Sequence, residues 1–356
     1  MDCNEVIALA TRALRISSGE EVRLKSKKKI ASVWDGKGCV YEIVVTHRGK
    51  ESTFVCKRIS FPKQDGSLTF EDQQKIFSYD IEATFYDARV YEAFISFGCP
   101  VPAGIHTERK ARKNDSLTIC MSCLLGKTSQ KMNFKQATAA VHWAARLHAH
   151  TWHEKADQFT NILQREGSFW HLDVSMAELE NLPRNIWCKR LYRASHAIDR
   201  WLKADVFQSI IHGDFHIDNM IFQNGSLIGL CDFQYCGYGN CMRDICYMLS
   251  CCVQEVAEKG NTNKRHPWET FLFNVYHKEL SKILGESRVP PFQELLLTAE
   301  ICYVDLARYL MGSGRLVNAF LIPRAKSVLD KLDSGILLST ELSYDEALAF
   351  NFPRAH

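Results

Sequence analysis

One stretch narrows the possible folds more than any other. It reads Ile211-His212-Gly213-Asp214-Phe215-His216-Ile217-Asp218-Asn219-Met220-Ile221-Phe222, and Asp232-Phe233-Gln234 begins ten residues after its end. Met220-Ile221-Phe222 and Leu227-Ile228-Gly229-Leu230 are two short apolar runs, and the segment joining them holds Asn224-Gly225, a dipeptide that accepts positive φ at both residues and so favours a tight hairpin. That hairpin would bring the Asn219 end and the Asp232 end side by side. The polar residues at those ends suit phosphoryl transfer, which asks for a few accurately placed groups rather than for covalent chemistry. Asp214 would accept or orient the proton of a hydroxyl. Asn219 would offer an amide oxygen, and Asp232 a carboxylate, to Mg2+, a cation that prefers hard oxygen ligands. His212, next to Gly213, is read as bracing the loop; His216 and Asp218 could face either substrate or solvent.

Composition sets the frame. The 356 residues are 46% hydrophobic and 24% charged, with a net charge of +3, an ordinary globular balance that argues against a dedicated nucleic-acid binder. No signal-peptide pattern is visible in residues 1 to 21, and no run approaches the roughly 20 apolar residues of a membrane helix. A cytoplasmic location without membrane attachment is the default expectation. Fourteen cysteines invite a metal or disulfide reading, but the five-residue recurrence from Cys231 to Cys251 matches neither a helix face nor a zinc-ligand spacing, so they are expected to be small buried hydrophobes.

The first third of the chain reads as a helix within residues 1 to 24, then as three β-rich runs: Ile30 to Trp34, Cys39 to Val45 and Thr53 to Ile59. The basic run Lys25 to Lys29 would be a solvated approach to the first strand. The turn holding Gly36 and Gly38 could lie over phosphates or be a plain hairpin. In the third run, alternation puts Lys57 on the same face as Val55 and Ile59, where a phosphate would compensate its charge. A long helix is expected from Phe70 to Ser96. It would supply an acid to hold Lys57; Glu82 is the first choice, with Asp87 and Glu92 as alternatives. Leu117 to Leu125 reads as the last strand before a boundary at Gly126 to Ser129.

Beyond that boundary the pattern is helical. Asn133 is a possible cap for a helix to His153, and His148 and His150 are read as core residues on it. Helices continue through Trp201, and further ones are expected over Met242 to Glu258, Trp268 to Leu284, Phe292 to Met311 and Leu316 to Leu332.

Assembled this way, the sequence resembles the CHK/ecdysteroid kinase-like family, within the superfamily of choline kinases and aminoglycoside phosphotransferases. The resemblance rests on Ile211 to Asn219, on Cys231-Asp232-Phe233-Gln234, on Tyr238-Gly239 with Asp244 to Leu249, on Leu147-His148-Ala149 with Trp152, and on Glu82-Ala83-Thr84-Phe85-Tyr86. It implies an α+β, two-lobed, protein-kinase-like fold, with an antiparallel-sheet lobe over residues 1–125 and a helical lobe over 126–356. It further implies ATP and Mg2+, held by Lys57, Glu82, Asn219 and Asp232, with Asp214 catalytic and Asp244 structuring the loop. The acceptor it implies is a hydroxyl on a small molecule, ecdysteroids being the family's named acceptors. Met121-Ser122-Cys123-Leu124 lacks the acid that the resemblance leads one to expect at the hinge. A choline- or aminoglycoside-type kinase and a non-catalytic binding protein are the rival readings. Phe169, Trp170, Trp187 and Trp201 could line an apolar acceptor pocket, although core packing would account for each alone.

Overall fold

The computed structural model describes residues 1–17, 19–33, 36–61, 68–110, 115–259, 265–315 and 320–354. Trp34 and Asp35, and the first residues of the helix expected from Leu316, lie outside that set. The chain forms two compact units: Met1–Ser96, Pro100–Gly126 and Ile228–Gln234 make the first, and the remaining residues the second.

The first unit opens with helix α1 (Cys3–Ala13), closed at its start by a reciprocal bond pair between Asp2 and Glu5. Arg15 takes a left-handed φ of 52°, which turns the chain out of the helix earlier than its apolar pattern suggests. Strand β1 (Val22–Ser32) follows, so the strand begins well before Ile30 and the basic run lies inside it. The reason is position: β1 is a sheet edge with an exposed outer face, where lysines suit a strand and deter pairing with other chains. Strands β2 (Gly38–His47) and β3 (Lys50–Ser60) are joined through Arg48 and Gly49, both at positive φ, as a two-residue hairpin requires.

The long helix expected from Phe70 is in fact two. Helix α2 (Phe70–Asp87), capped by Thr69 and Asp72, stops where Arg89 adopts φ 59°, and α3 (Val90–Ser96) starts afresh. No glycine or proline marks that break. Strands β4 (Gly104–Lys110) and β5 (Ser116–Ser122) complete an antiparallel sheet of order β1-β2-β3-β5-β4. The face covered by α1 buries Val6, Leu9, Ala10 and Ala13 against Ile43, Val45, Phe54 and Cys56.

The second unit is predominantly helical. Helix α4 (Phe134–His150) is capped by Asn133 with Gln136 reciprocating, and short helices α5 (Asp157–Thr160) and α6 (Met176–Glu180) lead to α7 (Ile186–Lys203). Strand β6 (Gln208–Ile211) delivers the chain into the Asp214 loop. After strand β7 (Met220–Gln223) the chain turns at Asn224 and Gly225, whose φ values of 52° and 76° are those the dipeptide led one to expect, and β8 (Ser226–Leu230) leads into the Ile228–Gln234 segment of the first unit. Strand β9 (Gly237–Asn240) pairs antiparallel with β6.

Helices α8 (Met242–Cys251) and α9 (Gln254–Lys259) replace the single helix expected over that span. Then come α10 (Pro267–Leu284), α11 (Phe292–Gly312), α12 (Leu321–Asp333) and α13 (Glu341–Asn351). α10 packs along α4, and α13, which the sequence reading did not mark, packs on α7. Nine of the fourteen cysteines are buried, and all are free thiols. No helix among the described residues is long and apolar enough to cross a membrane.

Candidate active site

In the first unit Lys57 sits on β3, a strand paired on both sides, opposite Val40 of β2 and Ile119 of β5. It is therefore no edge lysine in water. Its side chain is 6% exposed, and Nζ donates to Glu82 Oε2 at 2.6 Å and to Asp232 Oδ1 at 3.1 Å, above the Tyr79 ring. Burial works against the Lys57 charge, but the Asp232 and Glu82 carboxylates outweigh it and hold the ammonium above the usual lysine range. Burial pushes Glu82 up to about 7, with Asp232 adding to the rise and Lys57 opposing it. The two alternative acids are engaged elsewhere: Asp87 accepts from Thr107, and Glu92 pairs with Arg89 on the surface.

Asp232 is held in an unusual way. Its φ is 67°, a left-handed conformation that costs an L residue energy and persists only where surroundings enforce it. The enforcement is visible. Phe233 stacks on Phe85 of α2 with centroids 4.0 Å apart and planes 7° from parallel, and Phe94 of α3 meets it edge-on. Gln234 Nε2 donates to Asp232 Oδ1 at 2.7 Å, while Ser78 of α2 holds the Gln234 carbonyl at 3.1 Å. The task of this glutamine is not legible in the sequence; in the structure it orients the carboxylate.

In the second unit the loop after β6 is anchored from α8. Asp244, 1% exposed, accepts the His212 N–H at 2.8 Å through Oδ2 and the Gly213 N–H at 3.0 Å through Oδ1. His148 Nε2 lies 3.4 Å from the same carboxylate, and its Nδ1 meets the Tyr276 hydroxyl at 2.7 Å. Burial pulls His148 down, but Cys241 and Asp244 raise it to about 9. His212 is fully buried between Trp143 and Phe215, and its Nδ1 accepts the Asp214 N–H at 3.3 Å, so it is a brace. Gly213 has φ 82°, and a Cβ there would lie 2.0 Å from the Tyr235 carbonyl oxygen. No other residue fits that position unchanged.

Asn219 donates through Nδ2 to the Asp214 backbone oxygen at 2.9 Å and to Asp214 Oδ2 at 3.0 Å. This fixes both the half-buried Asp214 carboxylate and the direction of the Asn219 carbonyl oxygen. The tryptophans considered for an acceptor pocket have other jobs. Trp170 and Trp201 are buried, each with an arginine, Arg243 and Arg354, over its ring, and Trp187 carries Lys326. Phe169 is different: half-buried, it touches Tyr235, Tyr247 and Tyr309, a set of rings too scattered in sequence to be recognised beforehand.

The donor chemistry fits a divalent cation. Asp232 and Asn219 present carboxylate and amide oxygens, each oriented by neighbours within its own unit, and neither set contains the thiolate or imidazole of a softer metal's site.

An antiparallel sheet with a buried Lys-Glu-Asp cluster, followed by a helical unit whose Asp-Asn loop is tied to a later helix, defines a kinase-like phosphotransferase. The chain belongs to the phosphotransferase enzyme family (APH), whose model it matches over residues 39–263. Similar folds occur in a candidate aminoglycoside phosphotransferase from Ralstonia eutropha JMP134, at 11% identity with a TM-score of 0.54 over 98% of both chains. They occur also in the amicoumacin kinase hAmiN in complex with AMP-PNP, Ca2+ and Ami, at 15% identity and TM-score 0.52 over 93% of this chain and 94% of that one. A microcompartment-associated aminopropanol kinase gives 13% identity and a TM-score of 0.50 over 98% and 99%. At such identities the likeness is one of fold. No curated protein sequence matches the chain.

Proposed function

We propose that the protein is an ATP-dependent kinase that transfers the γ-phosphoryl group to the hydroxyl of a small alcohol. The observation that carries this is Lys57, a buried cation held between two carboxylates, one of them on a residue in a strained left-handed conformation. That arrangement costs stability and suits phosphate binding, for which Lys57 is the cation and Glu82 its positioning acid. Asp232 and Asn219 would hold Mg2+. When bound, that ion neutralises charge on phosphate oxygens.

Asp214 orients the acceptor hydroxyl and takes its proton as the acceptor oxygen bonds to the γ-phosphorus and the bond from that phosphorus to the bridging oxygen breaks. ADP leaves, and the proton passes from the carboxylate to solvent. Asn219 keeps Asp214 in place through its two bonds, and Asp244 keeps the loop in place. A steroid-like acceptor and an amino-alcohol or aminoglycoside acceptor both fit this chemistry. The reading is tested by thermal shift with and without Mg-ATP. The native protein should be stabilised, by about 2.7 kcal/mol when ATP stands at a hundred times its Kd, and Asp232→Ala should lose most of that gain. With a working acceptor, Asp214→Asn should lower kcat by about a thousandfold while the KM for ATP stays within about twofold. Absence of any nucleotide shift in the native protein at millimolar Mg-ATP would refute the kinase reading.

A further inference from the structure

The helical unit gathers a second set of donor atoms that the phosphoryl-transfer chemistry does not use. The chain reverses at Ser168, whose φ is 90°, and returns Glu166 to the side of His171 and Asp173, with one donor atom from each of the three within 4.8 Å of the others. The His-x-Asp turn is held from behind. The Ser175 hydroxyl donates to the His171 carbonyl at 2.7 Å, and Arg308 of α11 donates to that hydroxyl at 2.9 Å and to the Trp170 carbonyl at 2.7 Å. Arg243 donates to Glu166 Oε1 at 2.8 Å, which fixes that carboxylate with Oε2 on the side of His171.

His171 carries the argument. Its side chain is 5% exposed, yet the buried Nδ1 makes no hydrogen bond among the described residues. A buried imidazole that served packing alone would ordinarily find a partner for that atom. Nδ1 stands 3.4 Å from Glu166 Oε2, and two ligands that each lie about 2.1 Å from a tetrahedral ion are ~3.4 Å apart. Burial, helped by Arg243, keeps the ring neutral at ordinary pH, so Nδ1 can present a lone pair to a cation.

Lys203, the last residue of α7, marks where positive charge belongs. Its Nζ lies 3.1 Å from Glu166 Oε2, 2.9 Å from Asp173 Oδ2 and 2.8 Å from Asp199 Oδ2. The three carboxylates face only two cations, Lys203 and Arg243, because Asp305 beyond Arg243 is matched by Arg308. With the ammonium withdrawn into solvent and a divalent ion in its place, the charges balance. Both the lysine, at a helix end, and the Asp173 side chain are reached by water, which gives an ion a way in.

We propose that Glu166, His171 and Asp173 form a binding site for a divalent cation of the zinc type, which enters by displacing the Lys203 ammonium. One imidazole nitrogen and two carboxylate oxygens, with water as a fourth ligand, suit Zn2+, whereas Mg2+ and Ca2+ take oxygen alone. The ion has a structural role: it ties Glu166 to the His171–Asp173 turn, and Gly167 and Ser168 between them press against Gly237 and Gly213, beneath the Asp214 loop. The site uses none of the residues assigned to nucleotide or Mg2+ and stands independently of the kinase reading.

The test titrates the full-length protein, stripped with a chelator and free of nucleotide, with Zn2+ in competition with a chromophoric chelator, and repeats the titration with Mg2+ and Ca2+. One equivalent of Zn2+ should bind at micromolar concentration and raise the Tm, Mg2+ and Ca2+ at the same concentration should do neither, and Asp232→Ala should leave the Zn2+ result unchanged. Co2+ in place of Zn2+ should give d–d bands without the sulfur charge-transfer band that binding at any of the fourteen thiols would produce. Asp173→Asn, at an exposed side chain, should weaken binding by about a hundredfold. Lys203→Met should tighten it by about tenfold or more, a gain that damage to the fold would not produce. No Zn2+ binding at micromolar concentration in either the native protein or Lys203→Met, binding with a sulfur band that Asp173→Asn leaves intact, or an affinity indifferent to Lys203→Met would overturn the site.

Discussion

Replacing Lys57 by methionine keeps the length of the side chain and removes its charge, and the structure sets the size of the effect. The ammonium stands 2.6 Å from Glu82 Oε2 and 3.1 Å from Asp232 Oδ1, with Glu82 almost fully buried. Without it the buried Glu82 carboxylate faces the partly exposed Asp232 carboxylate, and breaking the buried Lys57–Glu82 pair by removing one partner costs about 3 to 5 kcal/mol. The loss should depend on pH in a defined direction. Glu82 is already raised to about 7, and Lys57 is a force that pulls it down, so the variant's Glu82 lies higher still. A group raised in the folded state above its unfolded value of roughly 4.5 favours folding while protonated, and that contribution is lost as pH rises through the folded pKa. Urea unfolding of both proteins at pH 6 and pH 9 should therefore show the larger deficit at pH 9. The difference should be about 1.4 kcal/mol for each unit by which the substitution lifts Glu82. Adding Glu82→Gln to Lys57→Met should recover much of the loss at pH 9, because it removes one of the opposed charges. An equal deficit at both pH values, together with simple additivity in the double variant, would refute the account of this cluster.

Other outcomes are equally specific. Gly213→Ala puts a Cβ 2.0 Å from the Tyr235 carbonyl at φ 82°, so it should destabilise the fold by about 2 to 4 kcal/mol in urea titrations, and kcat should fall as Asp214 shifts. Burial, helped by Arg243, holds His171 down at about 3, well below its unfolded value near 6.5. Its contribution is complete above about pH 6.5 and declines as pH falls toward 3, by up to about 1.4 kcal/mol per unit, and His171→Asn should flatten that acid limb in pH-dependent thermal melts. His148, raised to about 9, acts in the other sense: its contribution is complete below about 6.5 and lost as pH rises through 9, a slope that His148→Gln should remove.

What could be read in advance follows from where the chemistry lies along the chain. Asp214, Asn219 and Asp232 stand close in sequence on a hairpin whose turn is dictated by Asn224-Gly225, and Lys57 announces itself as a cation on an apolar strand face. Those are local signals. The break at Arg89 was not legible, because the apolar pattern runs on through it and the left-handed residue is neither glycine nor proline. The strand containing Lys25 to Lys29 looked like solvent-exposed approach because an edge strand is allowed a charged outer face. Nor could the ring set around Phe169 be seen, since Tyr247 and Tyr309 come to it from α8 and α11. Only tertiary packing selects those two from among twelve tyrosines.

The bonds from Asp244 to His212 and Gly213 also carry a consequence for how the molecule comes into being. They span 32 and 31 residues, so the Asp214 loop is not finished when its own sequence has folded. A loop of that length must close first, with β9 laid beside β6 and the first turn of α8 formed. A nascent chain that stopped short of Asp244 would hold every residue of the motif without the two bonds that clamp the loop to α8. The order of synthesis thus withholds the site until the helix that clamps it has emerged.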